Sequence, residues 1–262
     1  MASISLLIST CEKFSDLWDE HIALLRKHWK GSFWKVYMVT DKPTEKKYDG
    51  IEIISAGMEK DFPLRLKFAA EFIQSDYILL TLDDYFLTDD IDPDKLMYLA
   101  DRAEKERIRY LKLYDRRRTN PRNYDPIEQL TPIDLDKKYA VTLYPAIWEK
   151  DFLFYSVETD ISPWQYEPSL TLYAKNCAAN CMFSHTGCFP ILDVVRKGKV
   201  LHKANGYFKR NGIDIGDRPL ISRAMEVKLT LMDWISWYTP RKAFVAGKKV
   251  LRKMGLHFYS DD

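Results

Sequence analysis

The stretch YILLTLDDYFLTDDID, residues 77–92, opens with six residues that are apolar apart from one Thr, then turns acidic. An unalternating apolar run of this length predicts a strand covered on both faces, as in a parallel sheet. Open α/β sheets bind ligands outside the carboxyl ends of their strands, and Asp83 and Asp84 stand at such an end. Two carboxylates there offer hard oxygen ligands to a divalent cation, which would bridge them to a diphosphate. Adjacent strand residues point to opposite faces, so one of the pair meets a ligand unless the chain has already turned. The competing reading, a solvated acidic turn, is weakened by the unbroken apolar run before it.

The flanking sequence extends this strand into a sheet. ISLLIST (4–10), WKVYMVTD (34–41), IEIISA (51–56) and RYLKLY (109–114) read as further strands. Trp18, Ile22, Leu25 and Trp29 recur at helical spacing and predict a helix over 15–30. Pro63 opens a helix to about Ile73, with Leu66, Ala69, Ala70 and Ile73 on one face, and Pro93 opens another to about Arg107. The βαββαβαβ order predicts an α/β fold with a mostly parallel sheet and helices on both faces. Residues 116–218 are less regular. They include a polar loop at 115–126, a strand with a turn or short helix at 140–153, a helix starting at PWQYEPSL, and short apolar pieces over 189–217. From Pro219 a long amphipathic helix is expected, striped by Leu220, Ala224, Val227, Leu231 and Ile235. The chain thus reads as 1–115, a second half of the same domain at 116–218, and C-terminal amphipathic helices at 219–262.

With 262 residues, 46% of them hydrophobic, the chain can bury a sizeable core. Its 16 Tyr and 7 Trp serve either that core or the stacking of flat and sugar-like ligands. A net charge of +2 creates no field for nucleic acid, which is not an expected partner. The start of the chain lacks a basic n-region, and no window reaches the ~18 apolar residues of a membrane span. The expectation is a cytoplasmic protein whose four Cys are reduced. RKAFVAGKKVLRKMGLHFY (241–259) carries six Lys or Arg and no acid. As a helix it would separate a basic face from an apolar one, fit either to lie on an anionic membrane or to pack on the domain.

SISLLISTCEKFSDLWDEHIALL, VYMVTD and FPLRLKFAAEFIQSDYILLTLDDYFLTDDID together resemble the nucleotide-sugar half of bacterial glycosyltransferases of the GT-A fold, over residues 3–115. The resemblance implies a GT-A-like, Rossmann-type sheet and transfer of a sugar from a nucleotide donor, UDP-linked by expectation. The acceptor would be a glycan or lipid-linked molecule in surface polysaccharide or lipopolysaccharide assembly, reached at the inner face of the membrane. It further implies that Ser9, Thr10 and Glu12 form the nucleotide loop, that Asp41 ends the second strand, and that Arg65 lines the nucleotide pocket. Asp83 and Asp84 would hold Mn2+ or Mg2+ with the sugar-diphosphate, and His185 would complete the metal shell.

The motif departs from the family pattern in reading Asp-Asp-Tyr, with no carboxylate two residues after Asp83. A metal-independent enzyme would neutralise the diphosphate with Lys and Arg instead. Arg116, Arg117, Arg118 and Arg122, or Arg196, Lys197, Lys199 and Lys203 around Gly198, are available. Tyr85 excludes an Asp-x-Asp-x-Thr phosphatase, and no GxxxxGK[ST] loop is present. A nucleotidyltransferase is disfavoured by the lack of a Gly-rich loop after the first strand; a non-catalytic binding protein on the same fold stays open. Inverting transfer needs a base for the acceptor hydroxyl. Glu167, beside Trp164 and Tyr166, is the first candidate, with Asp160 in reserve. Cys177, Cys181 and His185 would share a helix face, although C-x3-C-x3-H-x2-C is not a common zinc spacing.

Overall fold

The computed structural model describes residues 2–30, 34–114, 130–157, 163–185 and 187–238, those at 163–164 and 233–238 by backbone alone. The chain divides into two compact units, Met1–Asp193 and Val194–Asp262. In chain order the first unit comprises β1 (Ile4–Ser9), a 3-10 turn (Glu12–Phe14), α1 (Trp18–His28), β2 (Lys35–Thr40), β3 (Ile51–Ser55), α2 (Phe62–Phe72), β4 (Tyr77–Leu82), β5 (Tyr85–Leu87) and α3 (Pro93–Lys105). It continues through β6 (Tyr110–Lys112), β7 (Leu130–Pro132), β8 (Ala146–Glu149), α4 (Lys150–Tyr155), α5 (Pro163–Asn176), β9 (Cys181–Ser184) and β10 (Ile191–Asp193).

An eight-stranded sheet in the order β3-β2-β1-β4-β8-β6-β9-β7 forms the centre. The block β3-β2-β1-β4 is parallel throughout, β8 runs against both β4 and β6, and β6 and β9 are parallel. The fold is therefore α/β with a largely parallel sheet, as the strand and helix order implied. Alternation along the strands divides the core in two. Leu7, Ile78, Leu80, Tyr110 and Trp148 face α2, α4 and α5, where they meet Leu66, Ala69, Phe152, Tyr166 and Leu170. Leu6, Ile8, Leu79, Leu111 and Ile147 face the other way, against Trp18, Ile22 and Leu25 of α1 and Leu96, Leu99 and Ala100 of α3.

Two helices are started by aspartates. Asp61 accepts from the Leu64 amide ahead of α2, and Asp92 accepts from the Asp94 and Lys95 amides ahead of α3, with Pro93 at the first helical position. The strand and short helix expected within 140–153 form as β8, confined to Ala146–Glu149, and α4. The acidic motif is followed by a short strand, β5, that pairs antiparallel with β10. One expectation needs correction. Cys177, Cys181 and His185 do not share a helix face. Helix α5 ends at Asn176, and Ala178, at φ 48, turns the chain into β9, which carries Cys181.

In the second unit, β11 (Val195–Arg196) and β12 (Lys199–Val200) form a hairpin. Its turn residues Lys197 and Gly198 have φ 52 and 72, the mirror-image turn that glycine favours. Helix α6 (His202–Asn211), which the sequence did not disclose, ends at left-handed Gly212. Helix α7 (Arg223–Tyr238) begins four residues beyond Pro219, and its stripe is open to solvent at Val227 and Leu231, 66% and 53% exposed. Among the described residues no helix is long and apolar enough to cross a membrane.

Leu80 is completely buried at the sheet centre, whereas Met58 is among the most exposed apolar side chains. Leu80→Ala is expected to cost about 2–5 kcal/mol in urea unfolding, and Met58→Ser to stay within about 0.5 kcal/mol of the parent.

Candidate functional site

The carboxyl ends of β1, β2 and β4 meet at one rim of the sheet, because the three strands are parallel neighbours with Ser9 level with Val39 and Leu82. The chain leaving β1 is fixed there by main-chain bonds. The Thr10 amide donates to Val39 O at 2.9 Å, and the Asp83 amide to Ser9 O at 3.3 Å. Ser9 itself is buried, and its carbonyl ties the rim together. The Thr10 hydroxyl donates to the Asp83 carboxylate and accepts the indole N–H of Trp18 at 2.7 Å. Asp83 is thus turned inward and buried, while Asp84 is the more exposed of the pair.

Asp41 holds the other side of the loop. Its Oδ1 accepts the Glu12 amide at 2.7 Å and the Thr40 hydroxyl at 3.2 Å, and Glu12 pairs with Lys42 at 3.3 Å. Burial pushes the Asp41 carboxyl up, but the Glu12 amide, its own amide and the charge of Arg65 outweigh it and hold the group below the ordinary range. Arg65, one turn into α2, is only 9% exposed. It donates to Lys60 O at 3.2 Å and leaves a buried Nε with no hydrogen-bond partner. Thr10, Glu12, Asp41, Arg65, Asp83 and Asp84 therefore belong to one neighbourhood.

Past Asp84 the rim is aromatic. Tyr85 stacks on Tyr144 at 5.5 Å between ring centroids, and Tyr114 meets Tyr144 edge-on at 5.3 Å. The Glu167 carboxylate accepts the Leu143 amide at 3.1 Å, and its charge helps raise the Tyr85 phenol, after burial and the charge of Asp84. The charges of the acid on α5 and of the acid at the end of β4 thus both bear on Tyr85. Burial raises the Glu167 carboxyl, against the Leu143 amide and the Lys112 ammonium, which lower it. Tyr166 is no sugar platform: it is wholly buried, with its hydroxyl on Ser156 Oγ at 2.8 Å.

The remaining candidates lie apart. Strands β4, β6 and β9 point the same way, so His185, just after β9, is on the same rim but three strand steps from Asp83, about 14 Å at ~4.8 Å a step. It is exposed and bonds Thr131 Oγ1 at 2.7 Å. Among the described residues no group of three His, Cys, Asp or Glu is placed to hold a metal. Arg196, Lys197 and Lys199 belong to the hairpin of the second unit. Arg116, Arg117, Arg118, Arg122, Asp160, the side chain of Trp164 and the basic segment 241–259 lie outside the described residues.

Two residues at the rim escaped sequence reasoning. His21 sits on the buried side of α1, its ring bonded to the Asp83 main chain and edge-on to Phe86 at 5.3 Å. Lys112 ends β6, buried, with Nζ 5.8 Å from the Tyr144 ring centre. Trp18 was visible only as part of a core stripe, although its indole N–H serves Thr10.

No family model matches the chain, and no curated protein matches it by sequence. Solved structures do resemble it. S. aureus TarS 1–349 in complex with UDP-GlcNAc superposes with a TM-score of 0.50 at 16% identity, over 76% of this chain and 60% of that one. The mannosyltransferase PcManGT from Pyrobaculum calidifontis, in complex with GDP-Man and Mn2+, gives 0.50 at 10% identity, over 75% and 58%. The chain thus spans about three fifths of the length of each. At these identities the likeness establishes the fold, GT-A-like as the sequence resemblance implied.

Burial pushes the His21 imidazole down to about 4, against the opposing bond to Asp83. Below its ordinary value of 6.5, unfolded chains take up a proton that the folded ring refuses until about pH 4. Stability is therefore withdrawn as pH falls through that window, by up to about 3 kcal/mol from this residue. His21→Gln should flatten the fall of the urea midpoint between pH 6.5 and 4.5 relative to the parent; an equally steep fall would count against a buried neutral His21.

Proposed function

We propose that the protein transfers a sugar from a nucleotide donor to a hydroxyl of a glycan or lipid-linked acceptor. One observation carries this reading. The Asp83–Asp84 pair at the end of β4 shares its rim with the Thr10–Glu12 loop, Asp41 and Arg65 on one side and with Glu167 on the other. A donor laid along the rim would place its nucleoside against the loop and its diphosphate beside Asp84, leaving the sugar toward Tyr85, Tyr144 and Glu167. The occurrence of UDP-GlcNAc and GDP-Man in solved structures of this fold supports the donor class, with UDP the expected nucleotide.

The chain's own groups account for the proton and for orientation. Glu167 would accept the proton of the acceptor hydroxyl as that oxygen bonds to the sugar's anomeric carbon, while the bond from that carbon to the diphosphate breaks and the nucleoside diphosphate leaves. The displacement inverts the anomeric centre. The residues present also fit a divalent ion. Mg2+ characteristically uses one or two carboxylates and completes its shell with substrate phosphates and water, and Asp84 would supply one, Asp83 being held on the Thr10 hydroxyl. A bound Mn2+ or Mg2+ would neutralise the leaving diphosphate, and His185 would join it only if loop and ligand drew together. Without an ion, that charge would fall to Lys and Arg side chains instead.

A lipid-linked acceptor accords with two features of the second unit: the exposed Val227–Leu231 stripe of α7 and the basic segment that follows it at 241–259. Each basic residue near an anionic leaflet contributes about 1 kcal/mol of attraction. This supports peripheral contact with the inner face of a membrane in surface polysaccharide assembly.

Donor hydrolysis with UDP-, GDP- and CMP-sugars, with and without Mn2+, is expected to show turnover of at least one donor. Asp84→Asn should lower it by about tenfold or more, the loss typical even of groups one step removed from a metal. Glu167→Gln should lower transfer by about 100-fold, the usual worth of a general base. Donor binding without turnover in any arm would favour a binding protein instead.

A further inference from the structure

Three tyrosines stand in a row along the rim. Tyr85 follows the end of β4, Tyr144 precedes β8 and Tyr114 follows β6, and these are neighbouring strands of the sheet. β8 runs against the other two, so its first residue, Ala146, lies level with Leu80 of β4 and Lys112 of β6. The Leu113 amide donates to Pro145 O at 3.0 Å, which sets the chain at Tyr114 beside the chain at Tyr144. Ring centroids are 5.5 and 5.3 Å apart, close to the ~4.8 Å between strands, so ring follows ring as strand follows strand. Each ring packs against the core formed with α1 and α3 and stays partly exposed. Mutual packing orders the rings before a ligand arrives, which lowers the entropy cost of binding. The row also leads from the acids to the proposed base. Tyr85 adjoins Asp84, whereas Tyr144 is next in the chain to Leu143, whose amide donates to Glu167 Oε1 at 3.1 Å.

We propose that Tyr144 and Tyr114 hold the acceptor, and that the acceptor ends in an uncharged pyranose ring whose C–H face lies on these tyrosines with one hydroxyl turned to Glu167. The subsite rests on the transfer reading, with Glu167 as base, and names the class of its second substrate. A donor laid along the rim ends at Tyr85, one residue from Asp84, and leaves the two further rings for the acceptor. A pyranose suits such a row because its C–H bonds are weakly positive and an aromatic face is negative. A few polar groups beside an apolar platform then fix orientation. A bare phosphate headgroup suits it less. Phosphate is best met by Arg and Lys donors, whereas the carboxylates of Asp84 and Glu167 bear on Tyr85. Lys112, with Nζ 5.8 Å from the Tyr144 ring centre, is buried rather than presented to solvent. The ring is the part recognised, whether or not a lipid carries it.

Binding to the full chain without donor tests the subsite. The probes are the methyl glycosides of glucose, galactose, mannose and N-acetylglucosamine, with farnesyl phosphate as a lipid phosphate that carries no sugar. Ring signals of 13C-labelled tyrosine, assigned by their loss in Tyr114→Phe and Tyr144→Phe, report occupancy by NMR. At least one glycoside should shift both signals and, on irradiation of the tyrosine rings, take up saturation chiefly at the C–H groups of one face. Tyr114→Leu should weaken that glycoside about fivefold or more, and Tyr114→Phe, which keeps the ring, should stay within about twofold of the parent. No shift with any glycoside, or an unchanged affinity in folded Tyr114→Leu, overturns the proposal. So does farnesyl phosphate shifting these rings where no glycoside does. If Tyr114→Leu does not fold, the parent's saturation map decides, and uptake with no preference for one face overturns the proposal. The transfer reading is judged apart, by donor hydrolysis. A glycoside on the rings with no donor turned over keeps the sugar subsite and removes the transferase; donor turnover with no glycoside on the rings does the reverse.

Discussion

The hydrogen bond from the Thr10 hydroxyl to the Asp83 carboxylate is the contact around which the rim is built. Both residues are buried, so the carboxylate needs a donor, and the hydroxyl needs a second partner for its own oxygen. Trp18 supplies it, giving a relay from the indole through Thr10 to Asp83 in which each bond polarises the next. The relay joins α1, the end of β1 and the end of β4. It also settles what an adjacent pair of acids does at a strand end: Asp83 turns inward to hold the loop, leaving Asp84 as the more exposed acid.

The charges arranged around this contact are sorted by environment. Asp41 is kept ionised by the Glu12 amide and Arg65, His21 is kept neutral by burial, and Glu167 lies between burial, which favours the acid, and the Leu143 amide with Lys112, which favour the carboxylate. A neutral His21 under the Asp83 main chain adds no positive charge beneath the acids. Such separation of neighbouring titratable groups is the pattern of a candidate functional site.

How much of this could be read from residues alone depended on pattern length. β4 matched its expected bounds because six nearly uninterrupted apolar residues admit few alternatives, and α2 and α3 were marked by Pro63 and Pro93. β5, β7 and β9 span three or four residues each and form through partners far along the chain, which no local period records. α6 was hidden because HKANGYFKRN buries only Ala204 and Phe208 and carries a glycine in its interior. The first-loop residues and the acids came together as the strand order required. Lys112 was missed because RYLKLY alternates, so its lysine looks solvent-facing; a sheet covered on both faces has no such side. His21 was missed because a histidine on an apolar helix face carries no local sign of what it touches.

A crystal structure with UDP bound tests the central claim most directly. The account predicts the uridine against Thr10–Glu12 and Asp41, with the diphosphate at the rim beside Asp84 and Arg65 lining the same recess. Density for the nucleotide on another face of the sheet, with Asp84 touching only solvent, would contradict it.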